Sequence, residues 1–301
     1  MRRIAAFALA LVLGACGGGE PDAGAAELTP AVYTTFYPTT WMAERIAGGA
    51  VPVVCPLPDG ADPIYWQPDR DTLAEYQRAA LIALNGAGFE KWVDGASLPP
   101  SRTVATADGF EDRWLSYDRA TTHSHGPGGE HTHAGLDGHT WLDPVLAARQ
   151  AEALHAAMAR TFPAHADAFA QNHRRLQEEL GGLDAALTDL ASLLHDVALF
   201  ASHPAYNYLA RRYGLEVHNF DFDPAVELTG AQREDLRERI TGEHRAHVLL
   251  WESEPVEPEL GIPGLEGVLF SPGEAAPGPG GPDYLELMEA NLARLLAAAA
   301  S

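Results

Sequence analysis

A long helix-forming segment in the middle of the chain constrains the fold more than any other feature of the sequence. Residues 163–196 hold a single proline, at their first position, and apolar residues recur at spacings of three, four and seven from Phe169 to Leu194. This spacing predicts one long helix with a continuous apolar face, with Gly181 and Gly182 as a place where it can bend. We assign residues 161–196 to this connecting helix.

Strand-like and helix-like segments alternate on both sides of this helix. Strand candidates include "AVYTTF", "VPVVCPL" and "ALIALN" before it, and "VALFASH" and "HVLLWES" after it. Such alternation is typical of largely parallel sheets flanked by helices. The sequence therefore predicts an α/β protein of two lobes, residues 29–160 and 197–301, joined by one long backbone helix. A ligand would bind in the cleft between the lobes.

The N-terminus has the pattern of an export signal. Two arginines precede a short apolar run that ends in Leu-Gly-Ala-Cys, with Cys16 as its last residue. This quartet resembles a bacterial lipobox, which implies a signal peptide at residues 1–15 and a lipid on Cys16; an ordinary signal peptide that holds a cysteine is the alternative. Residues 16–28 form a flexible tether by composition. We expect a periplasmic or cell-surface lipoprotein, anchored to a membrane by its lipid.

Charge and cysteine content exclude some functions. The chain has 42 acidic and 20 basic residues, for a formal net charge of −22. Such a chain repels nucleic acid and anionic ligands and attracts cations. After Cys16 only Cys55 remains, so no intrachain disulfide can form in the mature protein, and its apolar neighbours predict a buried, inert thiol.

Histidines are concentrated in one glycine-rich stretch, "HSHGPGGEHTHAGLDGH" at residues 123–139. Few bulky apolar side chains interrupt it, which favours a mobile loop over residues 121–138. The residues alone leave two interpretations open. The stretch is either an inert tract or part of a metal site, because imidazole is a common ligand of transition metals.

Several blocks in a consistent order carry a family resemblance. They are "LPDGADPIYWQPDRDTLAEYQRAALIALNGAGFEKW", "DGHTWLDP", "SHPAYNYLARRYGLE", "VLLWESEP" and "PDYLELMEANLARL". From about Val32 to its end, the chain resembles the cluster A-I solute-binding proteins of ABC transporters, which bind zinc or manganese. The resemblance implies a monomeric receptor, not an enzyme, that delivers a divalent metal to an inner-membrane ABC permease. It also implies that the histidine-rich stretch is a metal-capturing loop near the site.

The resemblance implies metal ligands at three positions. His139 in "GHTWLDP" and His203 in "FASHPAY" match histidine positions of the family, and Glu252 in "LLWESEP" matches a carboxylate position. Two expected ligands are missing, since Ile64 stands where the family has a histidine, and Ser271 where it has an aspartate.

Other side chains can complete such a site. Candidates are Asp59 or Asp62 of the first lobe and a histidine of the loop; the "HNFDFD" group, with His218, Asp221 and Asp223, is a weaker source of oxygen ligands. The loop histidines concerned are His123, His125, His131 and His133. Zinc is favoured over manganese, because histidine is abundant and because manganese prefers more oxygen ligands, of which one expected position is lost here.

Two other classes of function stay open at this stage. An open zinc site with two histidines and a carboxylate could activate water for hydrolysis, although the chain has no HExxH motif. A receptor-like protein that has lost its metal site is the third class, and Ile64 is the residue that favours it. Such a protein would act in adhesion, in metal buffering or as a partner of the transporter.

Overall fold

The computed structural model describes residues 28–117, 121–124, 130–133, 135–240 and 242–300. The predicted signal peptide, Cys16 and nearly all of the predicted tether lie outside the described residues, as does His125. Among the residues described, no helix is both long and apolar enough to span a membrane.

The N-terminal lobe is built on a four-stranded sheet of order β2-β1-β3-β4, in which all neighbours are parallel. Helices α1 and α2 connect its strands, and a short antiparallel pair, β5 and β8, follows it in the chain. The elements are β1 (Thr29–Thr34), α1 (Tyr37–Ala47), β2 (Val53–Val54), α2 (Arg70–Arg78), β3 (Ala79–Leu84), β4 (Thr103–Ala105), β5 (Leu115–Ser116) and β8 (Leu136–Asp137).

Between β5 and β8, the histidine-rich stretch forms an antiparallel ribbon of β6 (Thr121–Ser124) and β7 (Glu130–His133). In this ribbon His123 is paired with His131, and Thr121 with His133. The high glycine content of the stretch predicted a loop and gave no sign of this pairing.

Helix α3 (Pro144–Thr161) packs on the first lobe, and α4 (Ala166–Leu193) is the long helix that leads from it to the second. Helix α3 begins where Asp143 accepts hydrogen bonds from the backbone N–H groups of Val145 and Leu146, with a proline at the first helical position. Helix α4 is continuous through the exposed pair Gly181 and Gly182. Its apolar face is buried as the leucine spacing predicted, at Phe169, Leu176, Leu180, Leu183, Leu187 and Leu190.

The C-terminal lobe repeats the plan of the first lobe. Its four strands are all parallel, in the order β10-β9-β11-β12, with helices between them. The elements are β9 (Val197–Ala201), α5 (Asn207–Tyr213), β10 (Val217–Asn219), α6 (Gly230–Arg239), β11 (Ala246–Trp251), β12 (Leu265–Leu269) and α7 (Tyr284–Ala299). The predicted fold class, two parallel α/β lobes with one long helix, is confirmed.

One apolar core extends through both lobes. It joins Val32 and Leu81 of the first sheet to Leu199 and Leu250 of the second through the buried face of α4. Helix α4 also packs against α1 and α3 on one side and α5 and α7 on the other. Each buried leucine contributes about 1.5–3 kcal/mol, so separating the lobes would expose a costly apolar surface.

Cys55 is less buried than the sequence predicted. Its thiol is free, as expected, but the residue is only partly buried rather than enclosed in the core. The short strand β2 explains the difference, because it lies at the edge of the sheet and ends at Val54.

Candidate metal-binding cleft

Two of the predicted ligands follow neighbouring strands of the C-terminal sheet. His203 lies two residues after β9, and Glu252 directly follows β11. Because β9 and β11 are adjacent and parallel, their carboxyl ends meet at the same edge of the sheet. The Nδ1 atom of His203 lies 3.6 Å from Oε2 of Glu252. Both side chains are largely buried.

His139 enters the cleft from the N-terminal lobe, two residues after β8. It is fully buried, and its Nδ1 lies 2.7 Å from Oδ1 of Asp137, which also accepts a hydrogen bond from the backbone N–H of His139. Gly138 between them is packed against Phe89, and a Cβ there would lie 2.8 Å from the Cβ of Phe89. The Asp-Gly-His sequence therefore allows a close turn in which one carboxylate orients the imidazole.

The imidazole rings of His139 and His203 come together across the cleft. Their centroids lie 5.9 Å apart at an interplanar angle of 74°. The ring of His139 also packs against Trp141, with centroids 5.2 Å apart. The two histidines, predicted from separate blocks of sequence, thus come from different lobes and share one site.

Glu274 is a member of this site that the sequence analysis did not identify. Its Oε1 lies 2.9 Å from Nε2 of His139, and its side chain is one-fifth exposed. Glu274 follows a tight turn in which Ser271 Oγ accepts a hydrogen bond from Gly273 N–H, and Trp141 Nε1–H donates to the carbonyl of Pro272. Where an aspartate was expected, Ser271 instead forms part of this turn. The turn places the longer acidic side chain of Glu274 in the cleft.

Charges around the cleft shift the pKa values of its residues. Burial opposes protonation of His139, but the carboxylates of Asp137 and Glu274 outweigh it and raise the pKa of His139 to about 10. Burial raises the pKa of Glu252 well above its usual value, and the charge of Glu274 raises it further. The positive charge of a protonated His139 acts in the opposite direction and lowers the pKa of Glu252.

The other proposed ligands have different surroundings. Asp62 and Asp223 lie close enough to raise the pKa of Glu252 through their charge, and Asp62 Oδ1 accepts a hydrogen bond from the N–H of Ile64. Asp59 is exposed. His218 is also exposed, and its ring contacts Phe200.

Ile64 is buried in the shared core, with 7% of its surface exposed. Its apolar side chain supplies no donor in place of the expected histidine. Within the described part of the chain, no three His, Cys, Asp or Glu side chains form a group arranged to hold a metal ion. In the cleft, His139 is paired with Glu274 as well as Asp137, and His203 is paired with Glu252.

Two parallel α/β lobes, a shared backbone helix and a buried histidine–carboxylate cleft between the lobes together define the two-lobe architecture of a solute-binding protein. The sequence matches the family model for zinc-uptake complex component A, periplasmic (ZnuA), over residues 32–298. The chain belongs to this family, which confirms the resemblance found in the sequence.

Characterised relatives are distant in sequence. The zinc-binding lipoprotein AdcA of Streptococcus pneumoniae is 26% identical over 81% of this chain and 48% of its own length, so the chain spans about half of that relative. The high-affinity zinc uptake system protein ZnuA of Bacillus subtilis is 28% identical over 80% of the chain and 77% of its own length. The crystal structure of the Zn(II)-bound ZnuA-like domain of Streptococcus pneumoniae AdcA has the same fold, with a TM-score of 0.73 and 22% identity over 91% of this chain and all of that chain.

Proposed function

We propose that this protein binds zinc in the cleft between its lobes and delivers it to an inner-membrane ABC permease. The observation that carries the proposal is the approach of His139 of the first lobe to His203 of the second. Their ring centroids lie 5.9 Å apart, and each histidine is paired with a glutamate. Membership of the zinc-uptake family and the zinc-binding relatives support zinc as the ligand.

The proposed ligands are His139, His203 and Glu252, as the family resemblance implied, together with Glu274. Two imidazoles and two carboxylates can satisfy the tetrahedral preference of zinc without a histidine at position 64. Imidazole nitrogen also favours zinc over manganese, whose preferred ligands are oxygens. Nε2 of His139 and Oε1 of Glu274 already face each other, so a small displacement of both would place zinc between them.

Binding rather than catalysis is the proposed role of the site. The histidines and Glu252 are almost completely enclosed, which leaves little room for an organic substrate beside a bound metal. Addition of zinc is expected to give no hydrolysis of simple esters; hydrolysis that depends on both zinc and Glu252 would contradict this role.

The proposed location is outside the cytoplasm, with the protein anchored through a lipid on Cys16. The family description, which names a periplasmic component, supports export. The substitution Cys16→Ala is expected to release the exported protein from membranes into the soluble fraction. Unchanged membrane association of this variant would contradict the lipid anchor.

Calorimetric titration of the chelator-stripped protein with zinc and with manganese tests the proposed function. We expect one tight zinc site and weaker binding of manganese. The double variant His139→Gln, His203→Gln should lose the tight site, whereas His218→Ala, at an exposed histidine outside the cleft, should retain it. A tight site that persists in the double variant would place zinc elsewhere and contradict the proposal.

A receptor-like protein without a functional metal site is the second candidate. Ile64 in place of a histidine favours it, as does the finding that the described residues hold no ready group of three metal ligands. Weak binding of several zinc ions, equal in wild type and double variant, would support this candidate over zinc delivery.

A further inference from the structure

Asp137 connects the site to the opposite lobe. It is fully buried at the end of β8, and its Oδ1 accepts hydrogen bonds from both the backbone and Nδ1 of His139. Its second oxygen, Oδ2, accepts a hydrogen bond of 2.9 Å from Nδ2 of Asn207, the first residue of α5 in the C-terminal lobe. One carboxylate therefore holds a ligand of the first lobe and a helix of the second.

Tyr208 forms a second connection at the same residue. Its hydroxyl donates to the backbone carbonyl of Asp137 and accepts a hydrogen bond from the N–H of Leu115, both at 2.9 Å. Leu115 and Asp137 form one of the two residue pairs of the β5–β8 ladder. A hydroxyl from the C-terminal lobe thus completes the end of a two-stranded sheet in the N-terminal lobe.

The contacts of Asn207 and Tyr208 also affect the position of His203. Helix α5 begins four residues after His203, so the segment that carries this histidine is fixed at its far end by Asn207 and Tyr208. Tyr208 also packs in a small apolar cluster with Phe110 and Leu146 of the region before α4. The positions of both histidines therefore depend on contacts that end at Asp137.

We propose that Asp137 is a positioning residue that couples the docking of α5 to the orientation of the His139 ring. Through it, the C-terminal lobe holds the two histidines at the separation that a single metal ion needs. A buried carboxylate that orients a metal-binding imidazole commonly changes affinity by about 10- to 100-fold when it is removed. The inference extends the proposed zinc function, and its test separates the two.

The substitution Asp137→Asn, with Asp143→Asn as a matched control, tests the role of this carboxylate. Asp143 is also buried and lies six residues later. It caps α3 and lies 3.9 Å from Arg212 of α5, but its hydrogen bonds go to the start of α3 and not to the ring of His139, so this control removes a buried carboxylate near α5 without touching the ring contact. Zinc affinity should fall by about 10- to 100-fold in Asp137→Asn and stay near the wild-type value in Asp143→Asn. If Asp137→Asn bound zinc as tightly as the wild type, the proposal would be overturned. If the wild-type protein itself did not bind zinc, the proposed zinc function would be refuted instead.

The cross-lobe part of the proposal is tested with Asn207→Ala, which leaves the His139–Asp137 contact in place. We expect this variant to weaken zinc binding, and the double variant Asp137→Asn, Asn207→Ala to be no weaker than Asp137→Asn alone, because coupled residues are not additive. If the losses of zinc-binding free energy in the two single variants added up in the double variant, the proposed coupling would be overturned.

Nuclear magnetic resonance of the Nδ1 proton of His139 provides a readout that needs no metal. In the wild type this proton is expected to exchange slowly with water, because its acceptor Asp137 is buried. Asn207→Ala should shift its signal and speed its exchange. An unchanged signal would overturn the proposed coupling whether or not the protein binds zinc.

Discussion

Ile64 occupies the place of an expected histidine in the first lobe, close in sequence to the cleft residue Asp62. We expect Ile64→His to tighten zinc binding, because an added imidazole would supply a further nitrogen ligand. Calorimetry measures the gain in zinc affinity. Ile64→Gln is the control, because glutamine is polar but a poor zinc ligand. Equal affinity in the variant and the wild type would mean that position 64 does not reach the metal.

Protonation of cleft residues should make zinc binding depend on pH. The pKa of His139 is raised to about 10, so a proton on this ring competes with zinc at neutral pH; the pKa of Glu252 is also raised, which acts in the same direction. Affinity should therefore rise with pH, by about tenfold per unit for each proton displaced. Titrations at pH 6, 7 and 8 in buffers of different ionisation enthalpy measure both effects; binding without proton release would contradict the prediction.

At the level of single elements, α4 offers a clear test of packing. Leu183 is buried in the shared core, whereas Leu193 at the end of the same helix is 52% exposed. Leu183→Ala should lower the free energy of unfolding by about 2–5 kcal/mol, and Leu193→Ala should change it by less than about 0.5 kcal/mol. Denaturant unfolding measures both, and equal losses would contradict the assigned burial.

The regular elements could be predicted from the sequence because their apolar periodicity is strong. The leucines of α4 and the apolar runs of β9 and β11 each bury a continuous face or strand, so pattern and structure agree. The ribbon of β6 and β7 could not be predicted in the same way. Its residues are polar, and neither strand has the alternation that marks a half-buried sheet.

Only part of the candidate site could be predicted from the sequence. His139, His203 and Glu252 lie within recognisable blocks, two of them next to strand ends. Glu274 lies in a proline- and glycine-rich stretch, and its place in the cleft depends on the contact between Trp141 and Pro272, which are 131 positions apart. Asp137 lies only two residues before the predicted ligand His139, but its hydrogen bond to Asn207 of α5 depends on the fold.

At the scale of the whole molecule, the shared core limits movement between the lobes. Opening the cleft would separate side chains packed on both sides of α4, so we expect only a small motion on zinc binding. Small-angle scattering should give the same radius of gyration with and without zinc, within error. A clear contraction on zinc addition would indicate hinge closure and contradict this expectation.

The continuous core also bears on how such a protein can diversify. Exchanging one lobe for that of a relative would replace half of a packed interior, and the new surfaces would have to fit α4 on both sides. Recombination of whole lobes is therefore a poor route to a new metal preference. The loops after the strands offer a better one, because residues such as Glu274 can be substituted there while the interior of the protein stays intact.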